Sequence, residues 1–496
     1  MPPGAATSAD DKPLKDPSLL CTKAFINGEW VDAASGKTFE VIDPSNGNVI
    51  IELPECDPSD VERAIQAAAA AFETFKKTPA RTRARMLRKW SDLMLDNIED
   101  LAVIMTLENG KSLADSRGEI TYAASFLEWF AGESERTYGQ TIPAFNPNSR
   151  ILTIKQPIGV CGVLTPWNFP CAMITRKVGA ALGAGCTVVA KPAGETPLSA
   201  LALGVLGTRA GVPKGVFNVI TTQKNLADVG AAICASPIVR KVSFTGSTRV
   251  GKLLMSQCSE TLKKLSFELG GNSPFIVFED ADLEKAVDAL MVAKFRNSGQ
   301  TCVCANRIYV QEGVYDKVIQ MLKERMQKLK VGGGFEEGVT IGPLTVENGI
   351  KKAETHVKDA ISNGAALIMG GKALNRPGTF FAPTILSNFP PSSILYSEES
   401  FAPIAALTPF HTLSTLLPLA NTPSVGLGAF ICTRDISLVW RVAEALEVGM
   451  VGVNTGLLSA CESPFGGVKG SGFGREGGSG GIEEYLVVKS LVMDVS

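Results

Sequence analysis

Histidine is nearly absent: the chain of 496 residues has two, His356 and His411. Chemistry that needs a histidine base, or a site built from several histidines, has almost no material to work with. Cysteine is sparse as well. There are eleven, an odd number with no C-x-x-C spacing, which excludes a disulfide scaffold and a zinc ribbon and fits a reducing compartment. Long apolar runs are missing too. The longest weakly polar stretch, Val178–Ala190, has 13 residues, against the roughly 20 of a membrane span. Nor is there an excess of charge. The 48 basic and 50 acidic side chains leave −2, which argues against nucleic acid or an anionic membrane as the main partner. Residues 1–16 hold three aspartates, no arginine and no apolar core, unlike a signal or transit peptide, so the expected location is cytoplasmic. No repeat or low-complexity linker interrupts the chain, and residues 1–20 alone read as a flexible tail.

What is present is alternation. Short β-rich runs at Cys186–Lys191, Val216–Thr221 and Val239–Thr245 are followed by helical patterns at Pro197–Ala210, Leu226–Cys234 and Thr248–Leu262. Later, Asp280–Asn297 reads as an amphipathic helix with Asp280 as its cap, followed by a strand at Asn306–Val310 and a helix at Tyr315–Leu329. Strands alternating with helices imply βαβ units and mostly parallel sheets. The predicted class is α/β, with two doubly wound domains. Glu484–Val495 reads as a strand with no helix to cover it, free to pair with another subunit.

Several segments carry chemistry. Cys302, in Gln300-Thr301-Cys302-Val303-Cys304, follows the turn signal Asn297-Ser298-Gly299. It is a nucleophile candidate or a buried structural thiol. Neither histidine has a convincing setting as its activator. His356 reads as part of a solvated helix face, and His411 lacks an acidic sequence neighbour. A base is therefore sought among carboxylates, and Glu268, at a strand end before Gly270-Gly271, is the best placed. Phe244–Gly251 spans a strand-to-helix junction of the kind that binds phosphate. Its spacing nearly matches a P-loop, but Leu253 follows Lys252 where a hydroxyl residue should stand. Asn168 lies between the prolines of Pro166-Trp167-Asn168-Phe169-Pro170, whose rigidity suits an amide donor aimed at developing negative charge.

Taken in order, PWNFP, VVAKP, FTGS, FELGGNSP, GQTC, EESFAP and PFGG resemble the aldehyde dehydrogenase superfamily, and the finer pattern is similar to its succinate-semialdehyde branch. The resemblance runs from Phe25 to Tyr485. It implies a Rossmann-like cofactor domain over 21–141 and 161–267 and a catalytic domain over 268–470. Residues 142–160 and 482–496 would supply oligomerisation strands of a homodimer or homotetramer. It also implies Cys302 as nucleophile, Glu268 as base for deacylation and Asn168 as oxyanion donor, with no metal. Cofactor contacts are implied at Pro166, Trp167, Lys191, Gly194, Glu195, Phe244, Gly246, Ser247, Leu269, Glu399 and Phe401. Arg176, Arg296 and Ser459 match positions that grip a substrate carboxylate, and Phe169 and Arg176, seven apart, are expected on one helix face. The implied substrate is a small aldehyde carrying a carboxylate, with glutarate semialdehyde or neutral aldehydes as alternatives. Gly194 stands where relatives that prefer NAD carry a glutamate, so NADP is favoured, with NAD possible. Ala402 replaces the usual glycine of the E-E-x-F-G-P segment. Cys304, two residues from Cys302, is a candidate partner in a reversible disulfide switch, as in the similar branch.

Overall fold

The computed structural model describes residues 13–496. Two mostly parallel sheets, each with helices packed against it, form two doubly wound α/β units. In the first, five parallel strands run in the order Phe217–Val219, Thr187–Lys191, Val160–Leu164, Val239–Thr245, Lys264–Glu268. Chain order reverses between Val160–Leu164 and Val239–Thr245, which makes the edge above that pair the expected ligand crevice. Short antiparallel strands at Ala24–Ile26, Glu29–Val31 and Gly472–Phe473 close the flanks. The second sheet has seven strands, centred on Ile404–Phe410, Ala305–Gln311, Ser273–Val277 and Gly428–Cys432, all parallel there.

Local chemistry explains the elements. The helix Pro197–Ala210 starts with proline in its first turn and stops at Gly211, whose φ of +95° only glycine adopts cheaply. Leu283–Phe295 is capped by Asp282, which accepts from the Lys285 N–H. Asp280 is not the cap, because it accepts from the Thr433 hydroxyl and the Arg434 and Asp435 amides across the fold. The pattern read as helical to Leu262 stops at Cys258, followed by a single tight turn. The apolar stretch around Val178–Ala190 is the buried helix Ala172–Ala184 turning into the central strand Thr187–Lys191. Among the described residues no helix is long and apolar enough to cross a membrane.

The C-terminal strand, Leu486–Asp494, pairs antiparallel with Ser149–Pro157 over its full length, and Thr141–Ile142 completes a three-stranded sheet. Val488, Val492 and Met493 are exposed on it. Residues 1–12 of the expected tail lie outside the described residues. Residues 13–20 are docked rather than loose: the Lys15 and Asp16 amides donate to the Asp100 carboxylate, and Leu19 is fully buried.

Candidate active site

The two sheets are joined by four residues. Glu268 ends the last parallel strand of the first sheet, and Ser273 begins a central strand of the second. The carboxyl edge of one sheet therefore faces the amino edge of the other. On the first edge the register sets Lys191 level with Leu164, Leu164 with Phe244, and Thr245 with Glu268. The loops that follow these positions line a cleft of about 260 Å³. Its walls include Pro166, Trp167, Asn168, Gly246, Ser247 and Leu269 from the first unit and Cys302, Glu399 and Phe401 from the second. Lys191, Gly194, Glu195, Phe244 and Glu268 are not on this wall, and neither are Arg176, Arg296, Ser459 and Cys304. Sequence reading missed Lys352, which lines the cleft from the helix Glu347–Ser362.

Cys302 leaves the second unit after a strained turn. Asn297, Ser298 and Gly299 have φ of +50°, +56° and +77°, left-handed values that two non-glycine residues hold only when surroundings enforce them. Those surroundings are specific. The Ser298 hydroxyl donates to the Gly342 carbonyl, the Gln300 amide accepts from the Thr345 N–H, and Asn297 donates to the Asn168 carbonyl. A Cβ on Gly299 would stand 2.4 Å from the Ala402 carbonyl, and one on Gly271 2.4 Å from the Cys302 carbonyl. The Ala402 methyl is itself fully buried, and Glu399 stays on the cleft wall.

The Cys302 thiol is pushed up to about 12, first by burial and then by the Glu399 carboxylate, with Arg176 acting against them. It rests as a thiol, so its attack on a carbonyl needs a proton acceptor. Cys304 faces elsewhere: its S–H donates to the Lys294 carbonyl, it is buried, and both thiols are free. Asn168 is 4% exposed and donates through Nδ2 to the Gln300 carbonyl, 3.0 Å away in the Cys302 loop.

Glu268 is 2% exposed. Burial, then the neighbouring Glu476 carboxylate, push its carboxyl well above the usual range, against the pull of Arg176 and Lys177. Its Oε2 has no hydrogen-bond partner among the described residues. Lys177 donates to Thr245 and Glu476, and Arg176 pairs with Glu476 at 2.7 Å. Lys177 and Glu476 carry no local sequence signal, since only packing brings residues three hundred apart together.

Arg176, Arg296 and Ser459 all lie around one unpredicted residue, Tyr122. The shared helix face expected for Phe169 and Arg176 does not form, because the helix starts at Ala172. The Phe169 ring lies instead 5.2 Å from Arg296 and 4.4 Å from Lys111. His356 is buried, 3.4 Å from Glu398, not on a solvated face, and His411 does have an acidic partner, Glu312, at 2.7 Å. Neither lines the cleft.

Beneath Asn168 sits a buried clamp. Lys111 donates to the Asn168 carbonyl at 2.8 Å and pairs with Glu119 at 2.5 Å, and Glu119 accepts from the Cys171 and Ala172 amides. Lys111→Met removes the donor and leaves Glu119 buried without its cation. The expected result is a loss of about 3 kcal/mol of stability or more, read as a lower denaturation midpoint, with a fall in kcat as the Asn168 amide loses its support.

Glu399 completes the wall. Burial raises its carboxyl to about 8, with Lys352 holding it down, and Phe401, at φ +52°, sets its ring edge-on to Trp167 at 5.6 Å. Ser247 caps the helix Thr248–Cys258, whose amino end opens at the cleft. Lys191 is buried, and its amine falls to about 8. Its ammonium has no hydrogen-bond acceptor in the described structure. A buried amine that makes no hydrogen bond, with Glu195 and Glu55 acting on it only through their charge, and a helix amino end on one sheet edge fit a ligand with more than one phosphate.

A thiol and an amide share one cleft wall where two doubly wound sheets meet, with a buried carboxyl acting on the thiol through its charge. The chain belongs to the aldehyde dehydrogenase family, whose profile matches residues 30–491. It is 52% identical to the NADP(+) succinate-semialdehyde dehydrogenase GabD of Escherichia coli, over 96% of this chain and 99% of that one. It is 51% identical to glutarate-semialdehyde dehydrogenase of Pseudomonas aeruginosa, over 97% and 99%. A solved succinate-semialdehyde dehydrogenase from Burkholderia pseudomallei superposes with a TM-score of 0.96 at 52% identity, covering 98% of this chain and all of that one.

Proposed function

We propose that this chain oxidises short aldehydes ending in a carboxylate, with succinate semialdehyde as the leading substrate, to the free acid with reduction of NADP. One observation carries the substrate class: two guanidinium groups, Arg176 and Arg296, and the Ser459 hydroxyl gather around one buried point within electrostatic reach of Cys302. Glutarate semialdehyde, one methylene longer, is the second reading, supported by the similarity to the Pseudomonas enzyme of that name.

The cofactor, when bound, supplies acceptance of a hydride. Ser247 and Lys191 would hold its phosphates, and Trp167, Glu399 and Phe401 its nicotinamide half. Position 194 carries no acid, and a Cβ there would stand 2.8 Å from the Thr222 carbonyl and would have to displace the Gln223 amide. Lys191 is thus left to pair with a 2′-phosphate, with Glu195 as the competing partner. The chain's own work is proton and acyl handling. The Cys302 thiol gives its proton up to solvent, the sulfur adds to the carbonyl carbon, and the Asn168 amide with the Cys302 backbone N–H stabilises the oxyanion. Once Cys302 holds the acyl group as a thioester, Glu268 takes a proton from water. The hydroxide adds to the carbonyl, and the sulfur departs as a thiolate that takes the proton back from Glu268. A base so close to the sulfur favours hydrolysis over transfer to coenzyme A. The exposed apolar face of Leu486–Asp494 supports a homo-oligomer, and eleven free thiols suit the cytoplasm.

The test compares succinate semialdehyde with butanal, each with NADP and NAD, in wild type and Arg296→Ala. Arg176 is the poorer target, because its removal strips a cation from buried Glu476. The expected result is a clear preference for the charged aldehyde and for NADP. Arg296→Ala should lower kcat/KM for the charged aldehyde alone by about 10- to 100-fold. Equal turnover of butanal in wild type overturns the substrate assignment.

A further inference from the structure

The helix Leu113–Ser134 carries a phenol that none of the chemistry above uses. Tyr122 sets its ring against Phe126, centroids 4.9 Å apart at 74°, and Phe126 in turn lies 5.7 Å from the Arg176 guanidinium. The Tyr122 oxygen is shut off from solvent, and among the described residues Ser459 is the one side chain placed to share a hydrogen bond with it, at a looser geometry than a full bond. Arg176 Nε, on a side chain 1% exposed, has no hydrogen-bond partner among the described residues. Ser459 stands beside the phenol, and Arg296 and Cys302 lie within its electrostatic reach. A phenylalanine would fill the same space without burying a hydroxyl, so packing alone does not account for the oxygen. A buried donor with no full-strength acceptor, in a ring of cations and a serine hydroxyl, calls for an acceptor of negative charge.

We propose that the Tyr122 hydroxyl donates to the terminal carboxylate of the substrate, between Arg296 and Ser459, and that this bond sets the preference for charged over neutral aldehydes. The inference rests on the proposed carboxylate-bearing substrate. Arg176 divides its charge with Glu476, and Arg296 stacks on the Phe169 ring with its in-plane donors open. Tyr122 adds a neutral donor beside them, one that fixes direction without adding charge.

Tyr122→Phe tests this, and the variant removes no hydrogen bond on which the fold depends. The readouts are kcat/KM for succinate semialdehyde and for butanal, competitive inhibition by succinate, and NADP affinity by fluorescence. Kcat/KM for succinate semialdehyde should fall about 10- to 100-fold and the succinate inhibition constant should rise in step. Butanal turnover and NADP affinity should stay within twofold. An equal loss on both aldehydes would make Tyr122 part of the scaffold or the chemistry and overturn the inference. So would unchanged kinetics on both, with the carboxylated-substrate reading still standing if wild type keeps its preference. A wild type that shows no preference for the charged aldehyde overturns both together.

Discussion

Cys302→Ala is expected to abolish aldehyde-dependent cofactor reduction, with a loss of at least about a thousandfold. Without sulfur the carbonyl has no covalent partner, and the Asn168 amide has no oxyanion to stabilise. NADP should still bind with wild-type affinity, because Ser247, Lys191 and Glu399 are untouched. Stopped-flow absorbance of reduced cofactor and a separate fluorescence titration check the two halves. Residual turnover within tenfold of wild type would remove Cys302 from the chemistry. Cys304 is the internal control. Its buried S–H bond to Lys294 predicts that Cys304→Ala keeps most of the activity.

The second large effect is expected for Glu268→Gln. The amide preserves shape and removes one of two carboxylates crowded beside Arg176 and Lys177, so the fold should tolerate it. Acylation should still yield about one equivalent of reduced cofactor per site, after which steady turnover falls by about 10²- to 10⁴-fold for want of a base. The pH dependence follows from the sign of the shift. Burial favours the protonated carboxyl, so the active base gains population as pH rises through the raised pKa, and the wild-type steady rate climbs with pH. The Gln variant should lose that limb. The Cys302 thiol is also raised, and alkylation by iodoacetamide separates the two: its pH profile should keep its slope in Glu268→Gln. A variant with wild-type steady turnover would rule out Glu268 as the deacylating base.

The sequence announced the sheets wherever local chemistry punctuates them. Val239–Thr245 and Pro197–Ala210 form over the expected residues, because a β-branched run and a proline–glycine bracket act locally. Misreadings arose where a distant segment competes. Asp280 looks like a cap, yet residues near 433 take its carboxylate. Phe169 looks like part of a helix, yet the turn before Ala172 sends its ring to Arg296. Cys302, Glu268 and Asn168 stand out by their turns and glycines. Tyr122, Lys177, Lys352 and Glu476 do not, since nothing near them in sequence says which cleft or ion pair they will meet.

The packing around the Cys302 loop bears on how freely this stretch of sequence can drift. Gly299 and Gly271 each press a bare Cα against a carbonyl, and Gln300 is held on both faces. A saturation library across 297–302 would return almost nothing but the starting residues, whichever aldehyde the selection used. Tyr122 and Ser459, proposed to meet the far end of the substrate, are carried on other elements, the helix Leu113–Ser134 and the segment that follows the strand Met450–Val453. New substrate ranges can be bred there while the engine is left alone.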